Sequence, residues 1–127
     1  MKSSKLVLIS LLAAALVPFG TVRLAVAEEK NSYVFCWADD TPYGNGQRTI
    51  YFSEVFPDSL DQDRYKLLDR KLRYESGFSN YLNAHFHKSL SSTCLFKEDR
   101  GAARSEADYR RSGYASGVKI VDTDWSY

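Results

Sequence analysis

Residues 33–40 read YVFCWADD, a run of large apolar and aromatic residues that encloses one cysteine and ends on two aspartates. Aromatic and β-branched residues suit the pleated, half-buried surface of a sheet, so Tyr33 to Ala38 is expected to be a strand. Side chains alternate along a strand. Val34, Cys36 and Ala38 therefore share one face, and Tyr33, Phe35 and Trp37 share the other.

The rest of the chain is arranged around that strand. DDTPYGNGQ (39–47) is dense in Asp, Pro, Gly and Asn and reads as a turn. RTIYFSEVF (48–56) is a second strand, paired with the first as an antiparallel hairpin, and Pro57 and Asp58 stop it. A helical region follows to about Phe86, in which Leu67, Leu68, Leu72, Phe78, Tyr81, Leu82 and Phe86 form one apolar stripe. Gly77 interrupts the pattern, at a cost of about 1 kcal/mol against alanine, and a break at Ser76-Gly77 is expected.

STCLF (92–96) is a third strand. Asp99 caps a second helix from about Arg100 to Ser112, Arg110 and Arg111 suit its last turn, and Gly113 suits its stop. Ala103 and Ala107, four apart, make a small-residue face that lets this helix approach a sheet closely. VKIVDTDW (118–125) closes the order β-β-α-β-α-β. The expected fold is α+β: one small domain, with two helices on one face of a four-stranded sheet.

The N-terminus has the pattern of an export signal. Lys2 and Lys5 precede an apolar stretch from Leu6 to Val17, and Ala25-Val26-Ala27 supplies the small residues of a cleavage site. The apolar run is short of the ~20 residues of a membrane span, so residues 1–27 read as a signal peptide. No membrane span is expected after processing. Residues 28–127 then form the single exported domain, periplasmic or secreted. Removing Lys2, Lys5 and Arg23 from the 17 basic residues leaves 14 against 16 acidic ones, a net charge of −2. With no Lys/Arg cluster, that balance argues against a nucleic-acid or anionic-membrane partner. Cys36 and Cys94 are the two cysteines, and in an exported chain a lone pair reads as one disulfide. Closing a loop of this length contributes ~4 kcal/mol on the chain-entropy model.

These spaced features resemble a group of small exported proteins of Gram-negative bacteria. The resemblance rests on Cys36 in a first strand, then YFSEVF, the aromatic segment FSNYLNAHF, Cys94 in CLF, and a C-terminal V-x-T-x-W strand at Val121–Trp125. It implies a periplasmic or secreted location and brings no established activity.

Candidate chemistry is sparse. His85 and His87 in HFH point about 200° apart on a helix, so they do not share one ion there. Asp122 and Asp124 lie on one strand face but fall short of the oxygens calcium requires, and Asp39 and Asp40 sit in a turn without a phosphate-loop or EF-hand pattern. H-E-x-x-H, G-x-S-x-G and G-x-G-x-x-G are absent from the sequence. No catalytic residue, metal site or cofactor is assigned.

Aromatic residues are the informative excess, at 14% of the chain. With Cys36, Ile50, Phe52, Phe56, Val118 and Ile120 turned to the helices, Tyr33, Phe35, Trp37, Tyr51 and Trp125 are expected on the opposite face of the sheet. That face reads either as a binding platform or as a surface covered by another part of the chain. The functional expectation is a non-enzymatic exported binding module, of inhibitor, immunity or envelope-interaction type, whose partner is a protein or a cell-wall glycan. The alternatives are a small hydrolase or metal-dependent enzyme using Asp39, Asp40, Asp122 and Asp124, or a structural envelope protein.

Overall fold

A computed structural model describes residues 32–127. The expected leader, residues 1–27, lies outside the described residues. The elements are β1 (Tyr33–Asp40), β2 (Thr49–Phe52), β3 (Phe56–Pro57), α1 (Leu67–Phe86), β4 (Ser92–Lys97), α2 (Arg100–Ser112) and β5 (Lys119–Asp122). The α+β class and the small single domain are as the sequence implies, but the sheet is mixed and has five strands rather than four.

β1 is the hub. It pairs antiparallel with β4 along one edge and with β2 and β3 along the other, and β5 adds to β2 in parallel. The registers on the second edge are offset. Trp37 faces Phe52 and Val34 faces Phe56, so three steps along β1 match four steps along its partner. One extra residue in Ser53–Val55 is therefore a β-bulge. Ser53 pins it, donating its N–H to the Cys36 carbonyl (2.9 Å) and accepting the Cys36 N–H on Oγ (2.8 Å).

The bulge reassigns faces. Tyr51 lies before it and Phe56 after it, yet both pack with Val34, Cys36 and Ala38 beneath α1. Ile50 and Phe52 point the other way, to Phe35 and α2. A one-residue shift moves every following side chain to the opposite face.

The two helices lie on opposite faces of the sheet, which corrects the expected one-sided arrangement. Tyr74, Phe78 and Leu82 of α1 pack on the cysteine face, whereas Ala103 and Ala107 of α2 pack on Phe35, Ile50 and Phe52. Topology accounts for this. β2, β4 and β5 run parallel to one another, with β1 antiparallel among them, so each helix is a crossover between parallel strands. The first crossover steps across the sheet towards β4, and the second steps back over β1 and β2 to β5. Two crossovers of one hand running in opposite directions put their helices on opposite faces.

Gly77 does not break α1, which is continuous from Leu67 to Phe86. A Cβ on Gly77 would sit 3.0 Å from Cζ2 of Trp125, so the glycine admits the C-terminal tryptophan against the helix. The helix ends at His87, whose positive φ (56°) lets the N–H groups of His87 and Lys88 reach back to the carbonyls of Asn83 and Leu82. α2 starts where expected, with the Asp99 carboxylate accepting the Ala102 N–H at 2.7 Å.

Cys36 and Cys94 are bonded and stand directly opposite each other on β1 and β4, with Cα atoms 4.0 Å apart. The Cys36 N–H goes to Ser53 and the Cys94 N–H to the Glu75 carboxylate (2.9 Å), so the two half-cystines form a non-hydrogen-bonded pair, where side chains approach most closely. Glu75 also occupies the outer edge of β4, and the Ser92 hydroxyl donates to the Glu75 carbonyl at 2.6 Å. α1 thus covers an edge that would otherwise be open to pairing with another strand.

Candidate binding surface

The five aromatics expected to form one platform are divided between the two faces. Tyr33, Phe35 and Trp37 point to the α2 side, whereas Tyr51 and Trp125 point to the α1 side. Neither group faces solvent as a sheet surface. Phe35 is fully buried under α2, the Arg110 guanidinium lies 4.0 Å from the Trp37 ring centroid, and that of Arg100 lies 4.8 Å from Tyr33. Trp125 packs edge-on against Phe56 (5.5 Å) and tilted against Phe78 (5.2 Å). Tyr51 meets Phe86 at 5.1 Å. The cause is the pairing of β2 and β5: Ile50, Phe52, Val118 and Ile120 lie on the α2 side with Phe35, opposite to the expectation, whereas Phe56, beyond the bulge, shares the Cys36 face as expected.

The four candidate carboxylates are likewise dispersed. Asp39 accepts from Arg48 (3.1 Å) and Thr41 (2.6 Å), and Asp122 pairs with Arg111 of α2 (2.7 Å). Asp40 pairs with Lys88 just beyond α1 (3.0 Å), and Asp124 accepts the Tyr81 hydroxyl at 3.0 Å. The hydrogen bond from Arg48 holds the Asp39 carboxyl below its ordinary range, partly offset by desolvation. Partial burial, then the bond to Asp124, pushes the Tyr81 hydroxyl up. His85 stacks on Tyr81 (4.2 Å) and reaches the Tyr81 carbonyl through Nδ1, while His87 is the helix cap. Among the described residues no group of three His, Cys, Asp or Glu side chains converges on a position that could hold a metal ion.

What the structure does expose is the leading half of α1. Leu67, Leu68 and Leu72 are 56%, 64% and 54% exposed, although all three belong to the stripe expected in the core. The buried series is instead Arg70, Tyr74, Phe78 and Leu82, one residue in every four. Leu72, two residues before Tyr74, lies about 160° around the helix from it at ~100° per residue.

A buried polar network places Arg70 in that series. The Asp58 carboxylate is fully enclosed and accepts from Arg70 Nε (2.9 Å), the Tyr74 hydroxyl (2.6 Å) and the Ser32 hydroxyl (3.2 Å). Arg70 also donates to the Tyr65 carbonyl at 2.7 Å, and the Tyr74 oxygen accepts the N–H groups of Ser59 and Leu60. Burial, then the bond to Asp58, pushes the Tyr74 hydroxyl up to about 12. A buried carboxylate requires such partners. Tyr74, Phe78 and Leu82 fix the same inward face, so Leu68 and Leu72 fall off it, while Leu67, the first residue of the helix, is exposed at its end.

Two shallow depressions flank them. One, of ≈ 540 Å³, is lined by Arg64, Tyr65, Asp69, Leu72, Arg73 and Ser76. The other, of ≈ 380 Å³, runs from Leu72, Glu75 and Ser76 to Leu90 and Ser92. They share Leu72 and Ser76, so the surface is continuous across the outer side of α1. The available signal in the sequence was angular: the leucines are near Phe78 and Leu82 in number, but Leu72 is off their line on the helix.

The fold and this surface define a disulfide-linked α+β domain with an exposed apolar helix face. No family model, no curated protein and no solved structure matches the chain.

Proposed function

We propose that the protein is a small exported binding module, acting in the periplasm or outside the cell, that engages a protein partner through the leading half of α1. The observation that carries this reading is the exposure of Leu67, Leu68 and Leu72 on adjoining turns of one helix. Leu68 and Leu72, four residues apart, share one exposed helix face, and apolar side chains clustered on a surface are a usual mark of a protein contact. Branched aliphatic groups favour a protein over a glycan, because sugars bind against flat aromatic faces and the aromatic faces of this sheet are covered. The buried Cys36–Cys94 bond supports an oxidising compartment, and among the described residues no helix is long and apolar enough to cross a membrane. An inhibitor, immunity or envelope-interaction role fits a domain of this size. The dispersal of Asp39, Asp40, Asp122 and Asp124 gives the alternative of an aspartate-dependent hydrolase no support.

Site-specific photo-crosslinking in the native host tests this. A benzophenone side chain at Leu72 should trap a discrete protein adduct, whereas one at Tyr109, which is also exposed but lies on α2, should not. Equal labelling from both positions, or none from Leu72, would refute the assignment of this surface.

A further inference from the structure

Two guanidiniums that line a depression with Leu72 join no ion pair among the described residues. Arg73 lies 4.3 Å from the Tyr65 ring centroid and Arg64 lies 5.3 Å from it, and both line the larger depression. Neither joins the ion pairs of the described residues, in which Arg48, Arg70, Lys71, Lys88, Lys97, Arg110 and Arg111 are each matched to an acid. The depression holds one acidic side chain, Asp69, against these two cations. Its lining is therefore net positive.

The cavity on the α2 side provides the contrast. There Arg104 and Arg111 line the cavity with Glu54 and Asp108, two cations with two acids, and Arg111 is already paired with Asp108 and Asp122. That cavity is balanced. The α1 depression is not, and Leu72 joins its charged lining to the apolar surface.

Stacking on Tyr65 holds both guanidiniums by cation–π attraction and leaves their N–H forks available for an oxygen acceptor. Such a fork matches a carboxylate bidentately. We propose, resting on the reading of α1 as a protein-binding surface, that the partner segment is an acidic peptide: a carboxylate side chain meets Arg64 and Arg73 while an adjacent apolar side chain packs on Leu68 and Leu72. The occupant needs both chemistries within a few residues, because Leu72 lines the same depression as the two arginines.

A random peptide library selected on the oxidised protein tests this in three arms: wild type, Arg64→Gln/Arg73→Gln, and Leu68→Ser/Leu72→Ser. All four positions are solvent-exposed, so circular dichroism and thermal melting should stay as in the wild type. The wild type should enrich peptides with Asp or Glu next to Leu, Ile or Phe. The arginine variant should bind the best of them at least roughly tenfold more weakly, as expected for lost charge-assisted hydrogen bonds, and should show no acidic bias of its own. The leucine variant should select nothing. Enrichment without acidic bias, abolished by the leucine but not the arginine changes, would overturn this inference and leave the binding surface standing. Selection unaffected by either variant would remove both. Anionic phosphatidylglycerol vesicles give the remaining outcome: binding to them that both variants weaken, with no peptide selected, would overturn the proposal in favour of a lipid surface.

Discussion

α1 and α2 lie on the same sheet from opposite sides, and they are built on different terms. α2 touches the sheet through Ala103 and Ala107, begins at a capping aspartate and stops near a glycine. Each of these features is local, so the helix is defined by its own residues. The trailing half of α1 is also simple, inserting Tyr74, Phe78 and Leu82 into the core. Its leading half depends on a remote residue: Asp58, outside the helix, pairs with the inward Arg70, while Leu68 and Leu72 lie off the buried face and Leu67 is exposed at the helix start. The buried face of a helix follows its angular line rather than its apolar residues, and a charge with a buried partner can lie on it.

The sharpest way to break this comparison is to remove the remote residue. Asp58→Ala leaves Arg70 buried without its counter-charge and should destabilise by about 3–5 kcal/mol in denaturant melts, as for other halved buried pairs. The same network acts at high pH. The Tyr74 hydroxyl is raised in the folded state, so its contribution is fully present below the ordinary tyrosine value of 10.0 and is lost as pH rises towards about 12. Tyr74→Phe should flatten that alkaline loss. If Asp58→Ala proves neutral, the leading half of α1 does not depend on the network.

Within α1 the two halves should respond oppositely to the same truncation. Leu82→Ala removes a fully buried side chain and should cost about 2–5 kcal/mol. Leu72→Ala should fall within about 0.5 kcal/mol of wild type, as at other exposed positions. Comparable losses at the two sites would mean that Leu72 is packed rather than presented.

Much of the fold was legible because its signals were local. Apart from the short β3, which the sequence reading merged into β2, element order followed from turn residues and apolar runs, the disulfide from the pair of cysteines, and α2 from Asp99 and its alanines. The α1 boundary near Phe86 also followed. Face assignment was not legible. TIYFSEVF is apolar on both sides of the sheet, so alternation cannot say which side is which, and the extra residue at Ser53–Val55 leaves no mark in the composition. Gly77 looked like a break because its partner, Trp125, is distant in sequence. The candidate site was legible only in part: Leu72 lies off the line of Tyr74, Phe78 and Leu82, but the burial of Arg70 depends on Asp58, to which nothing in the leucine spacing refers.

On the α2 side the expected effects are smaller. Asp99→Ala removes the acceptor of the Ala102 N–H and should cost about 1 kcal/mol, as for a typical capping residue. Asp99→Ser, which retains an acceptor, should restore most of it. A loss of the same size in both would mean the side chain acts through its charge rather than its cap.

The smallest effect tests whether the surface near the β1–β2 turn is held by charge. Arg48 donates to Asp39 through Nε and Nη2, and both side chains are partly exposed, so the solvent-screened pair should contribute little to stability. Its sign with pH is fixed by the direction of the shift. Asp39 is held low in the folded state, chiefly by the hydrogen bond from Arg48, so it binds its proton less readily than in the unfolded chain. Its contribution is present above the ordinary aspartate range and is lost as pH falls through the depressed folded value. Arg48→Gln should therefore be slightly less stable than wild type at neutral pH, and the two stability curves should converge in acid. Carboxyl-carbon NMR should show the Asp39 titration moving up in the variant. Parallel curves at every pH would assign the effect of Arg48 to its packing over Tyr114, where its guanidinium lies 5.3 Å from the ring centroid, and not to the ion pair.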